Sequence, residues 1–187
     1  MFQIRFHGRG GQGVVTAAEM LSIAAFNEGK HAQAFPSFGS ERMGAPVISY
    51  CRIDDKEIRL REPIAAPDAI IIQDPTLLRA GNIFEGLKPE GFLVLNSSRS
   101  FAELGIASLT EKMNPRHLAL VAATELAMKY VGRPMPNAVL LGSFVAVTGV
   151  IKLESVEGAI REKFPGSVGD ANIAAARAAY EIIVGRS

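Results

Sequence analysis

Alternating apolar residues open the chain and predict a strand that leads into a buried helix. Phe2, Ile4 and Phe6 recur at every second position of Phe2–His7, which is the period of a strand with one buried face. Val14–Phe26 is apolar almost all round, which indicates a helix enclosed by other elements. A glycine-rich turn lies between them, so the chain begins with a strand–turn–helix unit.

Further apolar runs predict the remaining strands. These strands are His31–Phe35, Ala69–Ile72, Gly91–Leu95 and His117–Ala123. The last run fits a strand or a helix by its period, and we interpret it as a strand. Val47–Ile53 and Glu57–Arg61 flank the turn-forming residues Asp54–Lys56, which predicts an antiparallel hairpin.

Longer periodic segments predict helices between and after these strands. The helices are Thr76–Leu87, Thr124–Val131, Asn137 to about Val150, Leu153–Phe164 and Ala171–Val184. Asn137 and Asp170 stand where N-cap residues belong. Strands that alternate with helices predict a single α/β domain over residues 1–187. We expect a Rossmann-like, three-layer sandwich whose sheet is mostly parallel and carries the antiparallel hairpin.

Composition narrows the chemistry available to the chain. The 187 residues include 20 Lys and Arg against 19 Asp and Glu, a net charge of +1 that gives no electrostatic basis for binding nucleic acid or an anionic membrane. One Cys and three His cannot form an iron–sulfur or cysteine-rich zinc site. Any redox centre must therefore lie in another chain, and we expect no metal ligands here.

The cellular location follows from two further observations. Met1 leads directly into strand-like sequence, without the basic region and apolar core of a signal peptide. The longest uncharged apolar stretch, Asn137–Ile151, has 15 residues and is too short to span a bilayer. We therefore expect a cytoplasmic protein. Because this stretch and the first helix are both apolar all round, they predict either core helices or an extensive subunit interface.

The glycine-rich turn is the first candidate site. Gly8, Gly10 and Gly13 form a G-x-G-x-x-G pattern between a strand and a helix, where backbone amides can approach an anion and Arg9 can add a positive charge. A dinucleotide site also needs an acid near the end of the second strand, and Glu28 lies before that strand. Three interpretations of the turn therefore stay open. It is a tight bend that binds no ligand, it is an anion or phosphate site, or it forms a cofactor site together with a partner chain.

A second candidate is the loop Pro36–Pro46, which we call the contact loop. It combines Phe38, Met43 and two prolines with Glu41 and Arg42, a mixture that suits a contact surface more than a solvated linker. The alternative is a loop packed on its own domain, with Glu41 and Arg42 paired locally.

Three other features have simpler explanations. Asp74 ends a strand, and its position before Pro75 is that of an N-cap. Cys51 lies within a strand and is expected to be a buried, unreactive thiol. His7 adjoins the glycine-rich turn and could contact a ligand bound there.

Three segments together resemble a known family. They are His7–Gly13, Gln33–Pro46 and Asn137–Gly142. They resemble the gamma subunit, or gamma domain, of the 2-oxoacid:ferredoxin oxidoreductases, the pyruvate synthase group and its relatives. Leu153–Ile160 and Asn172–Glu181 also fit, so the resemblance covers essentially the whole chain.

The resemblance implies a subunit of a multi-subunit enzyme. Such enzymes decarboxylate a 2-oxoacid on thiamine diphosphate with Mg²⁺, pass electrons through iron–sulfur clusters to ferredoxin, and transfer the acyl group to coenzyme A. The alpha, beta and ferredoxin-like delta subunits would chiefly hold thiamine diphosphate and the clusters, and the gamma subunit would complete the assembly and help to shape the coenzyme A or active-site approach. The chain alone would bind no cofactor and be inactive. Met43–Pro46 looks closer to the pyruvate branch than to the 2-oxoglutarate branch, which indicates pyruvate or a related 2-oxoacid.

The resemblance also implies roles for particular residues, none of them catalytic. The implied cofactor-binding loop comprises Gly8, Arg9, Gly10, Gly11, Gln12 and Gly13. The implied partner or active-site approach comprises Ser37, Glu41 and Arg42. Two alternatives stay open: a stand-alone NAD(P)-binding Rossmann oxidoreductase and a non-enzymatic scaffold protein. A homo-oligomer is a further option for the isolated chain.

Overall fold

A single six-stranded sheet organises the chain in the computed structural model, which describes residues 1–37 and 42–186. The strands are β1 (Phe2–Arg9), β2 (His31–Pro36), β3 (Pro46–Asp54), β4 (Ala69–Ile72), β5 (Phe92–Asn96) and β6 (Leu118–Val121). The helices are α1 (Val14–Asn27), α2 (Ala107–Thr110), α3 (Ala123–Val131), α4 (Asn137–Thr148), α5 (Leu153–Lys163) and α6 (Ser167–Val184). Short 3-10 helices cover Pro75–Arg79 and Pro115–His117. The predicted α/β class is confirmed.

The strand order β2-β3-β1-β4-β5-β6 places the first strand near the centre of the sheet. β1, β4, β5 and β6 run parallel, whereas β3 runs antiparallel to both β1 and β2. The chain therefore leaves β1 toward one edge and later crosses back to begin β4 on the other side. Open α/β sheets bind ligands where the strand order reverses in this way, at the carboxyl ends of the strands. Here that point lies between β1 and β4.

Helices cover one face of the sheet, where the larger apolar core lies. Ile4, Phe6 and Ile71 project from the strands into this core, together with the buried residues of α1 and α4. The first nine residues of α4, Asn137–Val145, are all buried. The apolar helices are thus core in this chain, not a surface kept for partners. Within residues 1–37 and 42–186, no helix combines the length and apolarity that crossing a membrane requires.

Turns and short helices cover the opposite face. Ile70 and Ile72 of β4 lie on the side of the sheet opposite to Ile71. They pack with Leu77, Ile83 and Met113 in a second, smaller core. Because both faces of β4 are covered, its sequence is continuously apolar, as predicted for a buried parallel strand. The three-layer arrangement is therefore uneven, with long helices on one side only.

The predicted hairpin between Val47–Ile53 and Glu57–Arg61 is wrong. β3 pairs with β1 along one edge and with β2 along the other, which leaves no free edge for Glu57–Arg61. That segment forms no strand. The antiparallel hairpin of the sheet is β2–β3, joined by the contact loop.

The predicted helix over Thr76–Leu87 is also wrong beyond its first turn. A 3-10 helix ends at Arg79, and turns follow. Gly81 and Gly86 adopt φ angles of +147° and +74°, which a right-handed helix excludes. A Cβ on Gly86 would lie 1.9 Å from the Ala65 carbonyl oxygen, so this glycine also permits a close backbone contact.

Two predicted helix caps need correction. Pro136 occupies the N-cap position of α4, and Asn137 is its first helical residue, with Oδ1 accepting a hydrogen bond from the Ala138 amide at 2.9 Å. α6 begins at Ser167 after Gly166, whose φ of +73° turns the chain, so Asp170 lies in the first turn and is not the cap.

Candidate functional site

The glycine loop, residues 8–13, lies at the carboxyl end of β1, beside the end of β4. Gly11 and Gly13 adopt left-handed φ angles of +90° and +70°, and Gly13 is the N-cap of α1. A side chain at either position would be strained, because L residues rarely adopt these angles. The sequence thus requires glycine for the turn itself, as the motif predicted.

Residues 42–45 of the contact loop pack directly on the glycine loop. The Gly10 amide donates to the Ala45 carbonyl at 2.9 Å, and the Gly44 amide donates to the Gly10 carbonyl at 3.1 Å. A Cβ on Gly10 would lie 2.1 Å from the Arg42 carbonyl oxygen, so only glycine permits this approach. The two candidate sites of the sequence therefore form one structure.

Arg9 joins the glycine loop to the contact loop and to the end of β4. Its Nη1 donates to the Gly44 carbonyl at 3.0 Å, and its Nη2 donates to Thr76 Oγ1 at 2.9 Å. Its Nε lies 3.3 Å from Asp74 Oδ2 in an ion pair. The positive charge that the sequence offered to an anion is thus engaged with protein groups.

Gln12 completes this network from within the glycine loop. Its Oε1 accepts from the Arg9 amide at 2.7 Å, and its Nε2 donates to Asp74 Oδ2 at 2.8 Å. Gln73 supports the loop from β4, because its Nε2 donates to the Gln12 carbonyl at 2.8 Å. Gln73 Oε1 is fully enclosed and has no partner among the described residues.

Asp74 is the negative centre of the network. Partial burial acts to raise its pKa, but hydrogen bonds from Thr76 and Gln12 and the charge of Arg9 outweigh burial and hold the pKa below its usual range. Asp74 is also the N-cap of the following 3-10 helix, accepting from the Thr76 amide at 2.9 Å. The predicted capping role is confirmed, and the contacts to Arg9 and Gln12 add to it.

The third family-like segment reaches the same place. Asn137, at the start of α4, lies against Gly13, since a Cβ on Gly13 would approach Asn137 Nδ2 to 2.5 Å. Asn137 Nδ2 also donates to the Gly13 carbonyl at 3.5 Å. All three segments that carry the resemblance therefore meet at the carboxyl end of β1.

The remaining predicted residues of the contact loop are placed as follows. The Ser37 amide donates to the Ile48 carbonyl at 2.8 Å and extends the pairing of β2 with β3. Arg42 is exposed, and Met43 is 85% exposed although it lies over Gly11. Phe38 and Glu41 lie outside the described residues.

Gln73 is a site residue that the sequence did not single out, whereas Asn137 was noted as a cap and as the start of the third family-like segment. Gln73 is 1% exposed, and its only signal is a polar residue directly after the apolar strand β4. Thr76 and Asn137 become site residues through contacts with residues far away in sequence. Local patterns do not contain such contacts.

The geometry supports neither dinucleotide binding nor chemistry at the Cys51 thiol. Glu28, the one acid with roughly the spacing of a dinucleotide site, accepts from the Lys152 amide at 2.6 Å at the start of α5, away from the glycine loop. Cys51 is fully buried, and burial raises the pKa of its thiol. Among the described residues, no three His, Cys, Asp or Glu side chains are grouped to hold a metal ion.

Known proteins match this chain over nearly its whole length. The family model described as pyruvate ferredoxin/flavodoxin oxidoreductase matches residues 3–182. The pyruvate/ketoisovalerate oxidoreductases common subunit gamma of Pyrococcus furiosus is 48% identical over 181 residues, covering 97% of this chain and 96% of that protein. The pyruvate synthase subunit PorC of Methanocaldococcus jannaschii is 47% identical over 180 residues, 96% of both chains.

A solved structure shares the fold. The crystal structure of the pyruvate oxidoreductase subunit PORC of Thermotoga maritima superposes with a TM-score of 0.80 at 38% identity, covering 96% of this chain and 95% of that one. The likeness extends over nearly the full length of both chains, so the sheet order and the edge that holds the glycine loop belong to a shared architecture.

Proposed function

The chain belongs to the pyruvate ferredoxin/flavodoxin oxidoreductase family, and we propose that it serves as the gamma subunit of a multi-subunit 2-oxoacid:ferredoxin oxidoreductase. The enzyme would oxidise pyruvate or a related 2-oxoacid in the cytoplasm to an acyl-coenzyme A, with electrons passing to ferredoxin. The observation that supports this proposal is that the three family-like segments meet at the carboxyl end of β1. A stand-alone NAD(P) enzyme is disfavoured by the position of Glu28.

Thiamine diphosphate and the iron–sulfur clusters would be held by the other subunits. The single cysteine cannot ligate a cluster, and the described residues contain no acidic group suited to the Mg²⁺ of thiamine diphosphate. We therefore assign thiamine diphosphate and the iron–sulfur clusters to the alpha, beta and ferredoxin-like delta partners. The contribution of this chain is to complete the assembly and to shape the approach to the active site.

The glycine loop and the contact loop would form that contribution. The amides of Arg9, Gly10 and Gln12 already donate to protein acceptors, so the loop acts chiefly as a rigid base for the contact loop. The contact loop in turn presents Arg42 and Met43 to a partner. Ser37, Glu41 and Arg42 remain our proposed partner or active-site approach, and Gly8–Gly13 remain the proposed cofactor-binding loop.

We propose that a polar cavity at the carboxyl ends of β5 and β6 takes the phosphates of coenzyme A. It has a volume of about 210 Å³, and its lining includes Asn96, Ser98, Arg99 and Thr124 together with the carboxylate of Glu125. Within the described part of the chain, the Arg99 guanidinium forms no ion pair within 4.0 Å, although its charge also acts on the Glu103 carboxylate, so it would be the group that binds the phosphates. An Arg99→Ala complex should show a KM for coenzyme A raised about 10-fold with an unchanged KM for pyruvate.

Reconstitution tests the subunit assignment. The purified chain, given pyruvate, thiamine diphosphate, Mg²⁺, coenzyme A and a viologen dye, should reduce no dye. Co-expression with the other three subunits should give dye reduction that depends on coenzyme A. Turnover by the isolated chain would contradict the assignment, and so would full activity of a complex that lacks this chain.

Two exposed methionines provide a matched test of the contact surface. Met43 of the contact loop and Met128 of α3 are 85% and 50% exposed, so a charge at either position leaves the fold intact. Met43→Glu should reduce recovery of the complex in a pull-down by about 10-fold, since a carboxylate would be buried against the partner. Met128→Glu should assemble as the unmodified chain does. Equal assembly of both variants would exclude the contact loop as the interface.

A further inference from the structure

A separate cavity lies on the turn-covered face of the sheet. It has a volume of about 230 Å³ and opens between the end of β1, the start of β3 and the turns near residues 77–83. Apolar side chains provide much of its lining, among them Val47, Leu77, Ala80 and Ile83. The cavity is therefore suited to a hydrocarbon group smaller than a drug-sized ligand.

His7 supplies a hydrogen-bond donor to this apolar cavity. The side chain is only 6% exposed, and its Nε2 accepts from Arg5 Nε at 3.0 Å, which places the proton of the neutral ring on Nδ1. Burial, together with the charge of Arg5, lowers the pKa of His7 to about 3, so the ring is neutral near pH 7. Among the described residues, His7 Nδ1 has no acceptor, and the His7 side chain lines the cavity, so this donor is available to a molecule bound there.

Arg5 places a positive charge behind this donor. Its guanidinium is 8% exposed and donates to the carbonyls of Ile83 and Glu85, each at 2.8 Å, as well as to His7. Among the described residues, the hydrogen-bond acceptors of Arg5 are the His7 ring and backbone carbonyls, not carboxylates. The Glu85 carboxylate acts on Arg5 only at a distance. The field of this buried cation at His7 therefore favours an anionic acceptor over a neutral one.

We propose that this cavity binds a short aliphatic carboxylate. One carboxylate oxygen would accept from His7 Nδ1, which Arg5 polarises through Nε2, while the hydrocarbon chain would lie against Leu77 and Ile83. The same arrangement rejects protonated amines. Such an amine needs an acceptor, but His7 Nδ1 is a donor, and the charge of Arg5 repels it.

Titration of the full chain with three compounds of similar shape tests the charge preference. Butyrate should shift the His7 Nδ1 proton and the Ile83 methyl resonances in a saturable way, with a dissociation constant on the order of 1 mM. Butyramide should bind at least about 10-fold more weakly, and butylammonium should produce no saturable shift. Equal binding of butyramide, or no saturable shift with butyrate, would overturn the proposal.

Two substitutions localise the binding, with the Ile83 methyl signal as the readout. Ala80→Trp covers the mouth of the cavity from an exposed position and should weaken butyrate binding at least about 10-fold, whereas Ala102→Trp, exposed outside the cavity, should not. His7→Leu removes the Nδ1 donor and should abolish binding. Unchanged affinity in Ala80→Trp or His7→Leu would place the binding elsewhere and refute the site. The measurement needs no other subunit, so its result is independent of the proposed function.

Discussion

The two faces of the sheet are stabilised by different interactions. On the helical face, α1 and α4 bury apolar side chains against the strands, and Phe144 of α4 is fully buried beside Phe2, with ring centroids 6.3 Å apart. On the other face, turns replace helices, and buried arginines hold these turns by hydrogen bonds. Arg52 donates to the Glu62 carbonyl at 2.7 Å, and Arg5 donates to the carbonyls of Ile83 and Glu85.

The difference shows how a sheet can cover a face without regular helices. Irregular backbone leaves carbonyl groups without partners in secondary structure, and a buried carbonyl without a donor is costly. A guanidinium carries five N–H donors in one plane, so a single arginine can satisfy several such carbonyls. The helical face thus depends on apolar area, whereas the turn-covered face combines a smaller apolar core with directed hydrogen bonds.

The largest effect should come from removing a ring on the helical face. Phe144→Ala leaves a cavity in a closely packed core, and we expect the free energy of unfolding to fall by about 4 kcal/mol in urea denaturation. Phe26→Ala is the control, because Phe26 is 73% exposed, and its loss should cost less than about 0.5 kcal/mol. Similar losses in both variants would show that burial does not stabilise this face.

On the turn-covered face, the corresponding change is Arg5→Met. Methionine retains the apolar stem but leaves the carbonyls of Ile83 and Glu85 without their donor, so we expect a loss of about 3 kcal/mol in the same measurement. Arg59→Met, at a side chain 85% exposed, should change stability by less than about 0.5 kcal/mol. A neutral Arg5→Met would mean that apolar packing alone holds the turns.

Acid should weaken the turn-covered face through His7. The pKa of His7 is about 3 in the folded chain against 6.5 as the ordinary value, so below pH 6.5 the unfolded chain binds a proton that the folded chain does not. Stability from this group is therefore complete above pH 6.5 and decreases as the pH falls. Between pH 7 and pH 5 the loss should be about 2 kcal/mol. His7→Gln should remove this part of the pH dependence, and an identical pH profile in that variant would contradict the assignment.

The smallest effect concerns two glycines of the helical layer. A Cβ at Gly158 of α5 meets nothing within 4 Å, so Gly158→Ala should stabilise the protein by up to about 1 kcal/mol through higher helix propensity. At Gly142 of α4 a Cβ would lie 2.0 Å from the Ala176 carbonyl oxygen, and Gly142→Ala should destabilise the protein. A melting temperature that rises for Gly142→Ala as well would show that α4 and α6 are not closely packed there.

The sequence predicted the fold best where the information is local. The strand at Ala69–Ile72 and the turn at Gly8–Gly13 each depend on adjacent residues, and both are confirmed. The hairpin with Glu57–Arg61 was wrong because both edges of β3 are already paired, one with β2 and the other with β1 from the start of the chain. The alternation in β1 predicted one buried face, yet Arg5 and His7 of the other face are also buried, since polar residues there bind to turns and to each other.

The candidate site divides in the same way. The glycine loop was predictable because its spacing between a strand and a helix has one geometric explanation. Its contacts with Ala45, Asp74 and Asn137 were not, because each joins residues far apart in the chain. The sequence identifies the separate segments, and only the tertiary structure shows that they meet at the carboxyl end of β1.

The hydrogen bond from Asn137 to Gly13 joins residues separated by 124 positions. During synthesis the glycine loop therefore leaves the ribosome long before the residue that supports it. The site that would meet the other subunits is incomplete until α4 has been made, so we expect assembly to follow the synthesis of α4. A nascent chain that ends before α4 would expose the sheet face that α4 covers, and would be a substrate for chaperones before it could bind a partner.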